Sequence, residues 1–308
     1  MDVWFSNKGN RSFAGLRAGW RLLVFVLLLI FLFPALQLTL LWVMRHVGPR
    51  TAIFTPAAVS ASEALPLAFL LLATWVMSRL ERRPFGAYGL PGREAFGKGF
   101  WQGAVWGVAS LTLLLLLIFA SGDFSFGQVL LHGAQLPRYA LAWAGAFLLV
   151  GFFEEFFFRG YTLTTLTGGI GFWPAAIVLS AAFGSVHLGN SGEDLMGALS
   201  AGLIGLFFCF TWRRTGSLWF AVGLHAAWDY CESFVYGVPD SGTVSAGRLL
   251  GSSAHGSHWI TGGAVGPEGS VWVFVVIALL FAAFAVLYPP AAAPAATPNA
   301  SNAASSDA

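Results

Sequence analysis

Apolar runs about as long as a bilayer is thick recur along this chain, and they decide what it can fold into. A helix needs roughly 20 apolar residues to cross about 30 Å of hydrocarbon. Such runs fall at about 20–44, 57–79, 98–120, 140–167, 173–188, 195–212, 217–236 and 270–288, and the limits of 173–188 are the least sharply marked. The expected fold is therefore all-α, a polytopic membrane helix bundle of about eight transmembrane helices. Composition agrees: 57% of the 308 residues are hydrophobic and 10% are charged, against about 25% charged in soluble domains. A net charge of +2 is too small to point to nucleic acid.

Charge placement predicts the topology. Lys8, Arg11 and Arg17 precede the first run. That run is longer than the ~7–15 residues of a cleaved signal's apolar region, so it reads as an uncleaved span. Arg79, Arg82, Arg83, Arg93 and Lys98 follow the second run, and Arg213 and Arg214 follow the sixth. By the positive-inside rule the N-terminus lies in the cytoplasm, and an even span count returns the C-terminus there. Arg45 and Arg50 oppose this orientation without reversing it.

Four regions are expected: N-terminal spans with a basic interfacial loop (1–137), a central block of four spans with short connections (138–236), an outer loop and last span (237–288), and a tail from residue 289. The tail, rich in Ala, Pro and Ser, cannot build a core and is expected to be disordered. Cys209 and Cys231 fall within spans and form no CxxC pair, so they read as small hydrophobes. His255 and His258 lie in the Gly/Ser-rich outer loop, a poor cage for a metal, and read as inert.

Within the central block, "GFFEEFFFRGY" (151–161) sets Glu154, Glu155 and Arg159 among five phenylalanines. An ionisable group inside a span costs about 2.5–3.5 kcal/mol on insertion scales and normally faces the bundle interior. Glu155 and Arg159 are spaced i, i+4 and can pair. Glu154 points about 100° away around the helix and needs another partner. The next span ends in "AAFGSVHLGN", with Phe183 four residues before His187, and the seventh holds "GLHAAWDY", with His225 and Asp229 on one helical face. Glu154 and His187 each lie 13 residues from the hairpin between their spans, roughly 20 Å along a helix, which brings them to one depth. His225 lies roughly 12 Å from its own turn, so the agreement there is coarse.

Such a cluster admits several readings. All three charges of the first motif can form one polar staple between helices. A carboxylate and a histidine can instead hold and deprotonate a water, and a second histidine can donate to a developing oxyanion, which is the chemistry of amide hydrolysis. Two histidines and a carboxylate are also a zinc set with an open position, so Glu154, His187, His225 and Asp229 are candidate metal ligands. A transporter can use buried carboxylates too, but the chain has no evident internal repeat.

The motifs Glu154-Glu155-x-x-x-Arg159, Phe183-x-x-x-His187 and His225-x-x-x-Asp229 resemble, in order, spacing and placement on consecutive spans, those of the CPBP intramembrane proteases. That family includes the type II CAAX prenyl endopeptidases and the bacterial Abi proteins. The resemblance implies a glutamate-dependent endopeptidase with its site inside the membrane, Glu154 and His187 activating the water. His225 and Asp229 would stabilise the oxyanion, and Glu155, Arg159 and Phe183 would support the site. The implied substrate is a membrane-associated protein or peptide, and the implied location is a bacterial cytoplasmic membrane. Zinc, another divalent metal and a metal-free mechanism are all compatible with the family. The last motif position is often Asn in the family and is Asp229 here; an ionised Asp accepts hydrogen bonds but cannot donate them. The alternative is a non-catalytic membrane protein that uses the same fold for binding, immunity or scaffolding.

Overall fold

The structure, a computed structural model, describes residues 13–46, 54–190 and 192–289. The low-complexity tail lies outside these residues from 290 onward, as do Lys8, Arg11 and Arg50. Ten α-helices appear among the described residues. They are α1 (Ala18–His46), α2 (Pro56–Glu81), α3 (Lys98–Ala120), α4 (Gln135–Phe156), α5 (Thr162–Ile170), α6 (Phe172–His187), α7 (Leu195–Thr215), α8 (Trp219–Asp229), α9 (His258–Thr261) and α10 (Val271–Leu287). The bundle is all-α apart from a two-residue ribbon, in which β1 (Phe124–Ser125) pairs antiparallel with β2 (Ser253–Ala254).

Among the described residues, four helical stretches are long and apolar enough to cross a membrane: α2, α3, α7 and the continuous stretch Gln135–Ile170 that joins α4 to α5. α6 and α10 are shorter apolar helices, and α1 is apolar over Ala18–Leu32. The run expected at 217–236 is divided between α8 and a wider turn that follows it. The expected all-α membrane bundle is present, with four helical stretches of spanning length and shorter apolar helices among the described residues, rather than eight helices of full length.

Helix starts follow local chemistry. The Thr55 side chain accepts from the Ala58 amide, and Pro56 opens α2 where a missing N–H costs nothing. Asp194 accepts from the Met196 and Gly197 amides at the start of α7. Between helices, small residues set the spacing. Gly103 and Gly107 on α3 face α8 so closely that an added Cβ would strike the backbone of Phe220 and Leu224. In lipid, where burying apolar surface against a neighbour gains little, such contact comes from bare backbone. α3, α7, α8 and α10 enclose one aromatic core built on Phe207, Phe208, Phe220, Leu224 and Phe284. α1 and α2 enclose a second around Phe25, Met77, Tyr88 and Tyr161.

The 237–269 segment is not a plain loop. Besides the ribbon it contains α9, and its backbone bonds back to the bundle through Leu249 N to Phe234 O and Leu250 N to Val235 O. Its two histidines take separate partners, His255 with Ser125 and His258 with Asp194.

Candidate active site

Two helices depart from α geometry just after their charged residues. Beyond Glu154 and Glu155, residues Phe157–Tyr161 form a π-helical turn in which Gly160 leaves helical torsions (φ −76°, ψ −109°). Beyond Asp229, Tyr230–Tyr236 form another. A π turn frees carbonyls from the i→i−4 ladder. Thr162 repays one of them, its hydroxyl donating to the Phe158 carbonyl at 2.7 Å. Within the turn Arg159 pairs with Glu155, and Tyr161 reaches Glu81 on α2.

Glu155 and Arg159 are fully buried and paired at 3.1 Å. The same Glu155 Oε1 lies 2.9 Å from His225 Nδ1. A carboxylate oxygen can only accept there, so Nδ1 carries the proton and Nε2 faces the other way. Arg159 is packed from above by the Phe183 ring, its guanidinium carbon 4.2 Å from the centroid. It has this room because Gly205 carries no side chain; a Cβ there would strike the guanidinium. Phe183 in turn stands against the His187 ring, centroids 4.6 Å apart. His187 Nδ1 donates to the Phe183 carbonyl at 2.7 Å, which leaves Nε2 as its acceptor.

Glu154 sits differently. Its side chain is 26% exposed, and Oε2 lies 3.8 Å from His225 Nε2 with no hydrogen-bond partner of its own. Asp229 Oδ2 approaches the same Nε2 at 3.5 Å. Glu154, His187, His225 and Asp229 all line one cavity of about 250 Å³. Beneath it, Glu155, Arg159 and Phe183 form the layer on which His187 and His225 rest.

The cavity wall holds residues the sequence reading passed over: Glu63 on α2, Asn190 after α6, and Asp240, Ser241 and Glu268 from the 237–269 segment. Glu63 had a signal, since it is an ionisable residue inside an apolar run, the same test that picked Glu154. The segment residues had none. Asp240 lies outside the spans, and burial, followed by the nearby Glu268, pushes its carboxyl up to about 7.

The fit to a metal is poor at the four motif residues. Ligands 2.0–2.2 Å from one zinc stand within about 3.5 Å of each other. Among the described residues, Glu154, His187, His225 and Asp229 do not bring three ligand atoms within 4.8 Å of one another; Glu232, Asp240 and Glu268 do.

Residues 136–231 match the family described as Type II CAAX prenyl endopeptidase Rce1-like. The matched span includes every charged residue of the three motifs and the helices that carry them. No curated protein and no solved structure matches the chain.

Proposed function

We propose that this chain, an integral membrane protein that carries a CPBP-family domain over residues 136–231, is an intramembrane endopeptidase cleaving a membrane-associated protein or peptide. The observation that carries the reading is the contrast between two adjacent glutamates. Glu155 is fully buried and spends Oε1 on Arg159 and His225, while the part-exposed Glu154 lines the cavity that holds both histidines and has no close donor on Oε2.

In this reading a water sits between Glu154 and His187. Glu154 takes its proton, and the hydroxide attacks the scissile carbonyl while His187 Nε2 accepts the second O–H. His225, protonated on both ring nitrogens, donates from Nε2 to the developing oxyanion, held in direction by Glu155 on Nδ1. Glu154 then returns the proton to the departing amine. Asp229, with its oxygen on the His225 Nε2 side, supports the donor when ionised and itself donates when protonated. No step runs through a metal.

The test uses purified full-length protein in lipid vesicles and one peptide in two forms, prenylated near its C-terminus and free. Internal cleavage of the prenylated form by wild type, absent with Glu154→Gln, is the expected result. Binding of that peptide without cleavage by either protein would favour the binding or scaffolding class.

A further inference from the structure

Beyond the motif residues, three carboxylates meet at the end of the α8 helix. Glu232 lies in the π turn after Asp229, and Asp240 and Glu268 come from the 237–269 segment. One carboxylate oxygen from each lies within 4.8 Å of the other two. A group of acids alone says little; the way these are held says more. Each has one oxygen fixed by a neutral donor: Trp228 Nε1 to Glu232 Oε2 at 2.6 Å, Ser233 Oγ to Asp240 Oδ2 at 2.8 Å, and Ser241 Oγ to Glu268 Oε2 at 3.1 Å. Glu232 is wholly buried, and its Oε1 has no hydrogen-bond partner. That oxygen faces the segment carrying the other two acids: a Cβ on Gly266 would stand 3.4 Å from it and strike the Pro239 carbonyl.

Among the described residues, no Lys, Arg or His pairs with any of the three. Buried charge without a partner is normally neutralised or coordinates a metal. An oxygen-only donor set selects hard cations over zinc or copper, and calcium tolerates irregular ligand geometry better than magnesium.

We propose that Glu232, Asp240 and Glu268 bind one hard divalent cation of the calcium class, which fastens the 237–269 segment to the helix bearing His225 and Asp229. Asp240 and Glu268 also line the cavity that holds the four motif residues. The ion therefore fixes one wall of that cavity without contacting the scissile bond.

The experiment takes purified full-length protein in detergent, stripped of divalent ions, and measures two things. Terbium emission excited through tryptophan reports ion binding, its loss in the cluster variants places the ion beside Trp228, and the thermal midpoint with and without about 1 mM calcium, the range of weak calcium modules, reports coupling to the fold. Wild type is expected to sensitise terbium, release it to calcium, and melt higher with calcium. Asp240→Asn and Glu268→Gln are each expected to weaken calcium binding at least tenfold. The proposal is overturned if wild type shows neither terbium emission nor a calcium-dependent midpoint. It is equally overturned if zinc but not calcium gives the shift, or if the Asp240→Asn, Glu268→Gln double variant responds to calcium as wild type does. The wild-type arms decide the matter even where a variant does not fold.

Discussion

Glu81 and Glu154 lie on opposite sides of the π turn at Phe157–Tyr161, and the bundle treats them in opposite ways. Glu81 is buried and receives three donors: the Tyr161 hydroxyl at 2.6 Å, the Tyr88 hydroxyl at 3.0 Å and Arg21 at 3.2 Å. It ties α1, α2 and the turn together. Glu154 has no such set and opens on the cavity. In a low-dielectric interior a carboxylate with no close donor is costly, so its persistence calls for a use, whereas one held by three donors is accounted for by structure. Glu155 resembles Glu81 through Oε1, which Arg159 and His225 both engage, although it neighbours Glu154 in sequence.

Substitutions can break this division or sharpen it. The largest effect is expected at Glu154→Gln in purified protein. The cleavage rate should fall by about 10²–10⁴, the range for losing a general base, while the thermal midpoint stays near wild type. Arg159→Leu should do the reverse, lowering stability by about 3–5 kcal/mol because a wholly buried Glu155 loses its arginine and keeps only His225 against its charge. Folded yield and denaturant midpoint measure it; a normal fold with no activity would instead give Arg159 a direct part in the chemistry. Glu81→Gln should cost about 1–3 kcal/mol, the penalty for weakening buried charged hydrogen bonds, with the turnover of the folded fraction unchanged. Asp229→Asn is expected to change kcat/KM by less than tenfold, about 1.4 kcal/mol, since the amide can donate where the acid does. A zinc-selective chelator should have the smallest effect of all, leaving the rate unaltered; loss of activity restored by zinc would require the motif residues to gather as ligands.

Much of this division was open to a reader of the sequence, and the reasons are physical. Apolar runs must become helices in lipid, so the bundle followed from hydropathy. The i, i+4 spacing of Glu155 and Arg159 announced their pair. What the spacing did not announce is that Glu155 also holds His225, because a contact between distant helices leaves no local pattern. Nor are the π turns legible: "FFRGY" and "YCESFVY" read as ordinary helix until packing unwinds them. Glu63 and Glu232 carried the same signal as Glu154, charge within an apolar run, and were passed over. Asp240 and Glu268 sit in a segment that reads as loop, so only the fold brings them to the cavity wall.

The central claim, that Glu154 drives peptide-bond hydrolysis in the membrane, is tested most directly by the termini of membrane proteins. Cells producing wild type or Glu154→Gln at equal levels would be compared by mass spectrometry of every protein terminus in the membrane fraction. The account predicts a small set of new termini, near membrane-associated segments, present with wild type and absent with Glu154→Gln. Identical terminus sets from the two, with both proteins folded and inserted, would contradict it.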